Sequence, residues 1–524
     1  MTPPTAPLTL FHMDFNFTCL PAPYIRRWLE KLAGMGYTGI LWELEDKVRW
    51  ETCPECVWPE ALSKAEFREI LNFTASLGLE SIPLLQTIGH GEYVLLQEKY
   101  RSFRELPDEH TCYCTSRPEV RSFLKKWIEE YLDLFGNIRY FHLGGDEAYA
   151  FATCPECVLR AGAQGRNQLY AEHIRDLAGP ILARGVRPGI WSDMVLHHPE
   201  EMNQIPKDFV IWDWNYWSYD QPNAQTRVWG YGCITKDQLT PHIRDLYPQI
   251  TDADDNLVPF YTSDFLKAAG FDVILCSTSR SSGDSVFCPD FEVHYQNVAG
   301  VARHTVRSGL LGQCVTSWAI RLNPFETQDL ILRLAPQALR HPDKTPHELL
   351  TEIGTELFGT NPAPFLKAIL ALSKGFPGAG TGITAIQWSR GKDSRPAPPN
   401  HISQLITTLK RERPTELDAL REKQRQATES FPPALVELVA FLNSATRGFE
   451  HLEPWLTAGH FQIQHARLAS LILNGQANPS LIPWARCLKR RYTEWLACSE
   501  TPQSAAKNAS LLYDCLIEFC ASCE

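Results

Sequence analysis

The segment with the most chemical content is Ile138-Arg-Tyr-Phe-His-Leu-Gly-Gly-Asp-Glu147, an apolar run that closes on two glycines and two adjacent carboxylates. Where an extended segment breaks into a loop, consecutive side chains are no longer forced to opposite faces, and Gly144 and Gly145 let a ligand approach the backbone. Asp146 and Glu147 can then act on one substrate as an acid/base pair. Taken alone, the dipeptide reads rather as the solvated start of a loop. Further polar side chains stand at the ends of other apolar runs: Asp14; Glu43, Glu45 and Asp46; Gln86 and His90; Asp193; Asp213; and the indole of Trp318. His142 reads as a core histidine bracing the acid pair, and His90, between two glycines, reads as facing the site.

A second chemistry is written in cysteine. Cys-Pro-Glu-Cys occurs twice, at Cys53–Cys56 and Cys154–Cys157, among 16 cysteines. Two C-x2-C knuckles brought together make a tetrahedral four-thiolate site for a structural zinc ion, with Cys112 or Cys114 able to substitute in either knuckle. Free or disulfide-linked cysteines are the alternative. Four thiolates leave no open coordination position, so catalytic zinc is not expected, and the carboxylate chemistry requires no cofactor.

The elements that must position these groups follow from periodicity. Eight short apolar runs recur through the first two thirds: Leu8–Asp14, Gly39–Glu45, Ser81–Gln86, Ile138–Gly144, Arg187–Asp193, Phe209–Asp213, Asp272–Cys276 and Leu311–Ser317. Between the first two, Ile25, Trp28, Leu29 and Leu32 follow helical spacing, with Pro23 at the start and Gly34 at the stop. Near-continuous apolar strands alternating with helices predict a parallel sheet covered on both faces, and eight of them predict a (β/α)8 barrel over residues 1–340. A doubly wound open sheet is the alternative. Residues 341–524 read as mainly α-helical, with a loop or linker near 375–403 and an apolar stripe at Leu435, Leu438, Val439 and Leu442 that packs on the barrel or on a partner subunit.

The 524 residues, 44% hydrophobic and 21% charged, can bury a large core. The formal charge of −11, with no basic run, argues against nucleic acid and anionic membrane as partners. No apolar segment reaches the roughly 18 residues of a membrane span, and the N-terminus lacks a basic region followed by an apolar stretch. A cytoplasmic location is expected, although a chain whose leader had been removed would read the same.

His142-Leu-Gly-Gly-Asp-Glu147 resembles the active-site signature of glycoside hydrolase family 20, the β-N-acetylhexosaminidases, and within it the hexosaminidase D branch. The similarity extends, in family order across roughly residues 8–325, to Leu44-Glu-Asp46, Ile82-Pro-Leu-Leu-Gln-Thr-Ile-Gly-His-Gly-Glu92, Ile190-Trp-Ser-Asp-Met194, Ile211-Trp-Asp213 and Thr316-Ser-Trp318. The resemblance implies retaining, exo-acting hydrolysis of terminal β-GlcNAc or β-GalNAc in which the substrate's own acetamido oxygen attacks the anomeric carbon, an exception to the two-carboxylate scheme.

On that reading Glu147 is the general acid and then base, and it requires a raised pKa. Asp146 orients the acetamido group and stabilises an oxazolinium intermediate. Trp191, Trp212 and Trp318 wall the N-acetyl pocket, and Tyr216 donates to the acetamido oxygen. Two positions depart from the family pattern. Asp14 is followed by Phe15-Asn-Phe17 rather than by a sugar-binding Arg, and Ile320 stands where the family has a carboxylate. Glu45 and Asp46, supported by Asp14 and His90, are the candidates to hold sugar hydroxyls in their place. The partner so implied is an amino-sugar-terminated glycan, and the helical C-terminal region is a candidate homodimer surface. A non-catalytic amino-sugar-binding protein and a metal-dependent hydrolase are the competing function classes.

Overall fold

The computed structural model describes residues 6–373 and 401–523, except 222, 282 and 320–322. Eight parallel strands close into a barrel: β1 (Leu8–Asp14), β2 (Gly39–Glu43), β3 (Glu80–Leu84), β4 (Tyr140–His142), β5 (Arg187–Trp191), β6 (Val210–Trp214), β9 (Asp272–Arg280) and β10 (Gly312–Ser317), in the order β1-β10-β9-β6-β5-β4-β3-β2. Closure is made by β1, which pairs with β2 on one side (Leu10 opposite Gly39) and with β10 on the other (Leu8 opposite Gly312). The open-sheet alternative is thereby excluded. A small antiparallel hairpin, β7 (Gln225–Val228) and β8 (Gly232–Thr235), is inserted between β6 and β9. Periodicity predicts no strands there, because these segments are four residues long, half of their residues are exposed, and they carry little apolar signal.

The alternation of side chains along each strand divides the core in two. Leu10, Leu41, Ile82, Leu84, Tyr140, Trp191, Val210, Trp212, Ile274, Cys276 and Cys314 fill the barrel lumen. Their neighbours along the strands, among them Phe11, Ile40, Phe141, Ile190, Ile211 and Val315, face the surrounding helices. Because both faces are buried, the strands read as continuous apolar runs rather than alternating ones. The first helix, Ala22–Met35, buries Ile25, Trp28, Leu29 and Leu32 as its spacing predicts, and it ends two residues beyond Gly34, at Gly36 with φ 104°.

From Asp329 onward the described chain is helical. The last helices pack on the barrel. The Thr501 N–H donates to the Cys19 carbonyl at 2.8 Å, the Asn508 amide donates to the Phe17 carbonyl at 3.1 Å, and Phe461 stacks on Phe287 with ring centroids 5.5 Å apart. The helix Pro414–Leu442 turns a slightly different face inward than the predicted stripe: Phe431, Ala434, Leu438 and Phe441 are buried, whereas Val439 is exposed. Most of the predicted loop near 375–403 lies outside the described residues, as does Ile320. No helix among the described residues is long and apolar enough to cross a membrane.

Candidate active site at the C-terminal mouth of the barrel

Asp146 and Glu147 follow β4 at the C-terminal end of the barrel, where loops of this fold carry active sites. The turn that presents them depends on glycine. Gly144 has φ 64°, and a Cβ there would lie 2.1 Å from Gln86 Oε1; a Cβ on Gly89 would lie 2.3 Å from the Asp146 carbonyl oxygen. Loops β3 and β4 therefore touch backbone to backbone. Both His90 (φ 55°) and Glu147 (φ 44°) are held in the left-handed region, a strained conformation for a side chain of this size and one that clusters at functional sites.

His90 Nε2 lies 3.2 Å from Asp146 Oδ2 and 3.5 Å from Glu147 Oε2, so one imidazole faces both carboxylates. Asp146 is buried, and its Oδ1 has no hydrogen-bond partner among the described residues. Glu147 is half-buried; Oε1 accepts from the Tyr149 hydroxyl at 2.8 Å, and its backbone N–H donates to Asp193 Oδ2 at 2.9 Å. The Glu147 carboxyl sits below its usual range, contrary to the raised value expected from its sequence context. Burial pushes it up, but the His90 hydrogen bond and charge, the Tyr149 hydroxyl and the Arg227 guanidinium together pull it down.

Two other strand-end acids are raised instead: Asp193, at the end of β5, which burial and then the negative charge of Asp146 push to about 8, and Asp213, which burial pushes to about 6. Asp193 Oδ1 accepts from Trp214 Nε1 at 3.3 Å. The sequence noted Asp193 as a strand-end acid and gave it no role; nothing local could reveal that it supports the backbone of Glu147. Tyr149 and Arg227 were missed altogether, since neither stands at a barrel strand end.

Aromatic rings fill the adjoining space. Trp191 and Trp212 lie 6.2 Å apart between centroids, Trp191 and Trp318 5.9 Å apart, and Trp318 Nε1 donates to Tyr216 Oη at 3.1 Å. Trp191 and Trp212 are fully buried in the lumen and form a floor, while Trp318, Tyr216 and Trp214 are partly exposed above them. His142 contacts this floor, 4.4 Å from Trp191, and its Nδ1 accepts from the Gly144 N–H at 2.9 Å. It therefore braces the glycine turn rather than bonding to the acids, and burial holds its pKa well below the usual histidine value, so it is neutral.

On the opposite side of the mouth the predicted hydroxyl-binding residues are engaged with the protein. Asp14 Oδ2 accepts from the Ala319 N–H at 2.7 Å, and Oδ1 accepts from the Asn16 N–H at 2.8 Å. The Asp46 carboxylate pairs with Lys47, and Glu45 is buried at φ 43° with its carbonyl accepting from Trp50 Nε1. His12, Glu43 and Gln86 form a buried chain: His12 Nε2 lies 2.9 Å from Glu43 Oε2, and Gln86 Nε2 donates to Glu43 Oε1 at 2.9 Å. His12, Asp14 and Glu43 are close enough to offer atoms to one cation, and the His12–Glu43 hydrogen bond already brings two of the three together.

The two cysteine knuckles do not meet. Cys53 and Cys56 are joined to each other as a disulfide. Cys154 and Cys157 instead converge with Cys114 and Glu105 in a buried cluster. The reason is topological: the neighbour of β4 is β3, so the loop after β3, not the one after β2, lies against the loop after β4.

The closed parallel barrel thus carries an adjacent pair of carboxylates at its C-terminal mouth with an aromatic floor beside them. Residues 42–239 match the model described as glycosyl hydrolase family 20, catalytic domain. The chain is 29% identical over 221 residues to hexosaminidase D of Homo sapiens, covering 40% of this chain and 45% of the relative. It is 27% identical over 217 residues to hexosaminidase D of Bos taurus, covering 40% and 63%. The chain thus spans about half the length of the curated relatives it matches. Among solved structures, the chitobiase of Flavobacterium johnsoniae is 14% identical with a TM-score of 0.48, covering 99% of this chain and 78% of that one.

Proposed function

We propose that this chain is an exo-acting, retaining β-N-acetylhexosaminidase that removes terminal β-GlcNAc or β-GalNAc through an oxazolinium intermediate, without a catalytic metal or cofactor. The observation that carries the reading is the pairing of Asp146 with Glu147 over the tryptophan floor. Asp146 Oδ1 is a buried carboxylate oxygen lacking a donor among the described residues, which is costly unless a ligand supplies one. An acetamido N–H is a donor of the right kind. Held there, the acetamido oxygen is directed at the anomeric carbon, and the charge that develops on the ring is opposed by the Asp146 carboxylate.

Glu147 then protonates the leaving oxygen and later takes a proton from water. A sugar covering the mouth would extend the burial that already pushes this carboxyl upward and weaken its contact with His90, restoring the protonated form the step requires. Trp191 and Trp212 would receive the acetamido methyl, with Trp318 and Tyr216 closing the pocket. Tyr216 accepts from Trp318, an arrangement that leaves its orientation fixed for an acetamido oxygen.

The test is release of nitrophenol from the β-GlcNAc and β-GalNAc glycosides, with the β-glucoside as the control lacking an acetamido group, for wild type and Glu147→Gln. Turnover of the acetamido sugars alone, lost in the variant, is the expected result. Folded wild type that turns over neither sugar would favour a binding protein built on the same barrel.

A further inference from the structure

We propose that Glu105, Cys114, Cys154 and Cys157 form a tetrahedral structural zinc site that fastens the loop after β3 to the loop after β4, behind the catalytic carboxylates. One ligand atom from each residue lies within 4.8 Å of all the others, and all four residues are buried. The distances match a metal-centred tetrahedron. With Zn–S of about 2.3 Å, the sulfur–sulfur edge of such a tetrahedron is about 3.8 Å, and with Zn–O of about 2.1 Å the sulfur–oxygen edge is about 3.6 Å. Cys114 Sγ lies 3.7 Å from both Cys154 Sγ and Cys157 Sγ, and Cys157 Sγ lies 3.5 Å from Glu105 Oε2. Sulfurs at these separations are not disulfide-bonded, and Cys114, Cys154 and Cys157 are free cysteines.

The surroundings are built to hold the ligands in place. Glu105 Oε1 accepts from the backbone N–H groups of Thr153 and Cys154 at 2.8 and 2.9 Å, leaving Oε2 turned to the sulfurs. Within the Cys154–Cys157 knuckle, the Cys157 N–H donates to Cys154 Sγ at 3.3 Å, as N–H groups do toward a thiolate that is also a metal ligand. The Ser116 hydroxyl lies 3.0 Å from Cys157 Sγ and in turn accepts from Arg160 Nη1 at 3.2 Å. No Lys, Arg or His among the described residues makes an ion pair with Glu105. A buried carboxylate beside three thiols is expensive unless a cation compensates it, and three soft thiolates with one carboxylate in a tetrahedral array select zinc among the common divalent ions. Four protein ligands leave no position for water, so the site is structural.

Its place in the fold gives the ion a task. Glu105 and Cys114 belong to the loop that carries His90, and Cys154 begins the helix Pro155–Gln164, eight residues after Asp146 in the loop that carries both acids. The ion would fix from behind the two strained backbones, His90 and Glu147, that face each other across the site. The disulfide-linked Cys53 and Cys56, and Cys112, whose sulfur points to the Tyr113 carbonyl, take no part.

The full chain, purified from zinc-supplemented cells without chelator, should contain one zinc per chain by plasma emission spectrometry. Cobalt exchanged for zinc should show the sulfur-to-metal charge-transfer bands of three thiolates and the visible bands of a tetrahedral ion. Cys114→Ser and Cys157→Ser should lose the metal, Ser116→Ala should weaken its retention about 10–100-fold against a chelator, and Cys53→Ser and Cys112→Ser should keep it. If the cysteine variants fail to fold, organomercurial titration of wild type serves instead, with three slow thiols reacting in step with zinc release. Wild type with neither zinc nor cobalt charge-transfer bands would overturn the proposal. So would full zinc retention in folded Cys157→Ser, or a native disulfide among Cys114, Cys154 and Cys157 by mass spectrometry. None of these readouts depends on hexosaminidase activity.

Discussion

His90 stands 3.5 Å from the group assigned as general acid, and replacing it with Asn isolates what that proximity does. In its charged form the imidazole stabilises ionised Glu147. At 3.5 Å the attraction is about 1.2 kcal/mol in bulk water and about 4.7 kcal/mol at an effective dielectric of 20. Glu147 keeps more than a third of its side chain exposed, so the solvent end of that range applies, about 1 kcal/mol, which is a several-fold change in the protonated fraction. A general acid is competent only when protonated, and that form is lost as pH rises through its folded pKa. Removing the positive charge raises that pKa. The alkaline limb of kcat/KM, which reports the free enzyme, should therefore move to higher pH in His90→Asn. Chitobiose is the substrate of choice, because a departing sugar requires protonation where nitrophenolate does not. A limb that stays in place or moves toward acid would refute both the contact's electrostatic role and Glu147 as the acid.

Glu147→Gln should lower turnover by about 10²–10⁴-fold with an unchanged circular dichroism spectrum, the usual contribution of a positioned general acid. Gly144→Ala forces a side chain into a left-handed backbone and onto Gln86, and it should cost about 1–3 kcal/mol in urea unfolding as well as activity. Burial and the neighbouring charge of Asp146 hold the proton on Asp193 to about pH 8 in the folded chain, against 3.8 for an ordinary Asp carboxyl. Its contribution to stability is therefore complete below about pH 4 and is lost as pH rises toward 8, so Asp193→Asn should flatten the decline of Tm with pH across that window, measured by scanning calorimetry. Asn508→Ala removes the donor to the Phe17 carbonyl and to Glu500 Oε2 and should destabilise by about 1–3 kcal/mol, a loss readable by thermal unfolding.

The strands were legible because a parallel strand buried on both faces leaves an unbroken apolar run, as in Leu8–Asp14, whose bounds agree with β1 residue for residue. The hairpin Gln225–Thr235 was not, since its segments are only four residues long and half of those residues are solvated. The acid pair was legible because Gly-Gly-Asp-Glu at a strand end is a local feature. The aromatic floor was partly so, since each tryptophan stands at its own strand end while its burial depends on closure of the barrel.

The barrel, its helical continuation and the residues at the strand ends all follow from periodicity and local residue type. Which of those residues share an environment is a property of the closed fold. That fold set His90 between Asp146 and Glu147 and so lowered Glu147, placed Asp193 under the Glu147 backbone, and brought Cys154 and Cys157 to Cys114 and Glu105 instead of to Cys53 and Cys56. Electrostatic shifts and ligand clusters depend on distance through space, and that distance is fixed by which strand lies beside which once the barrel has closed.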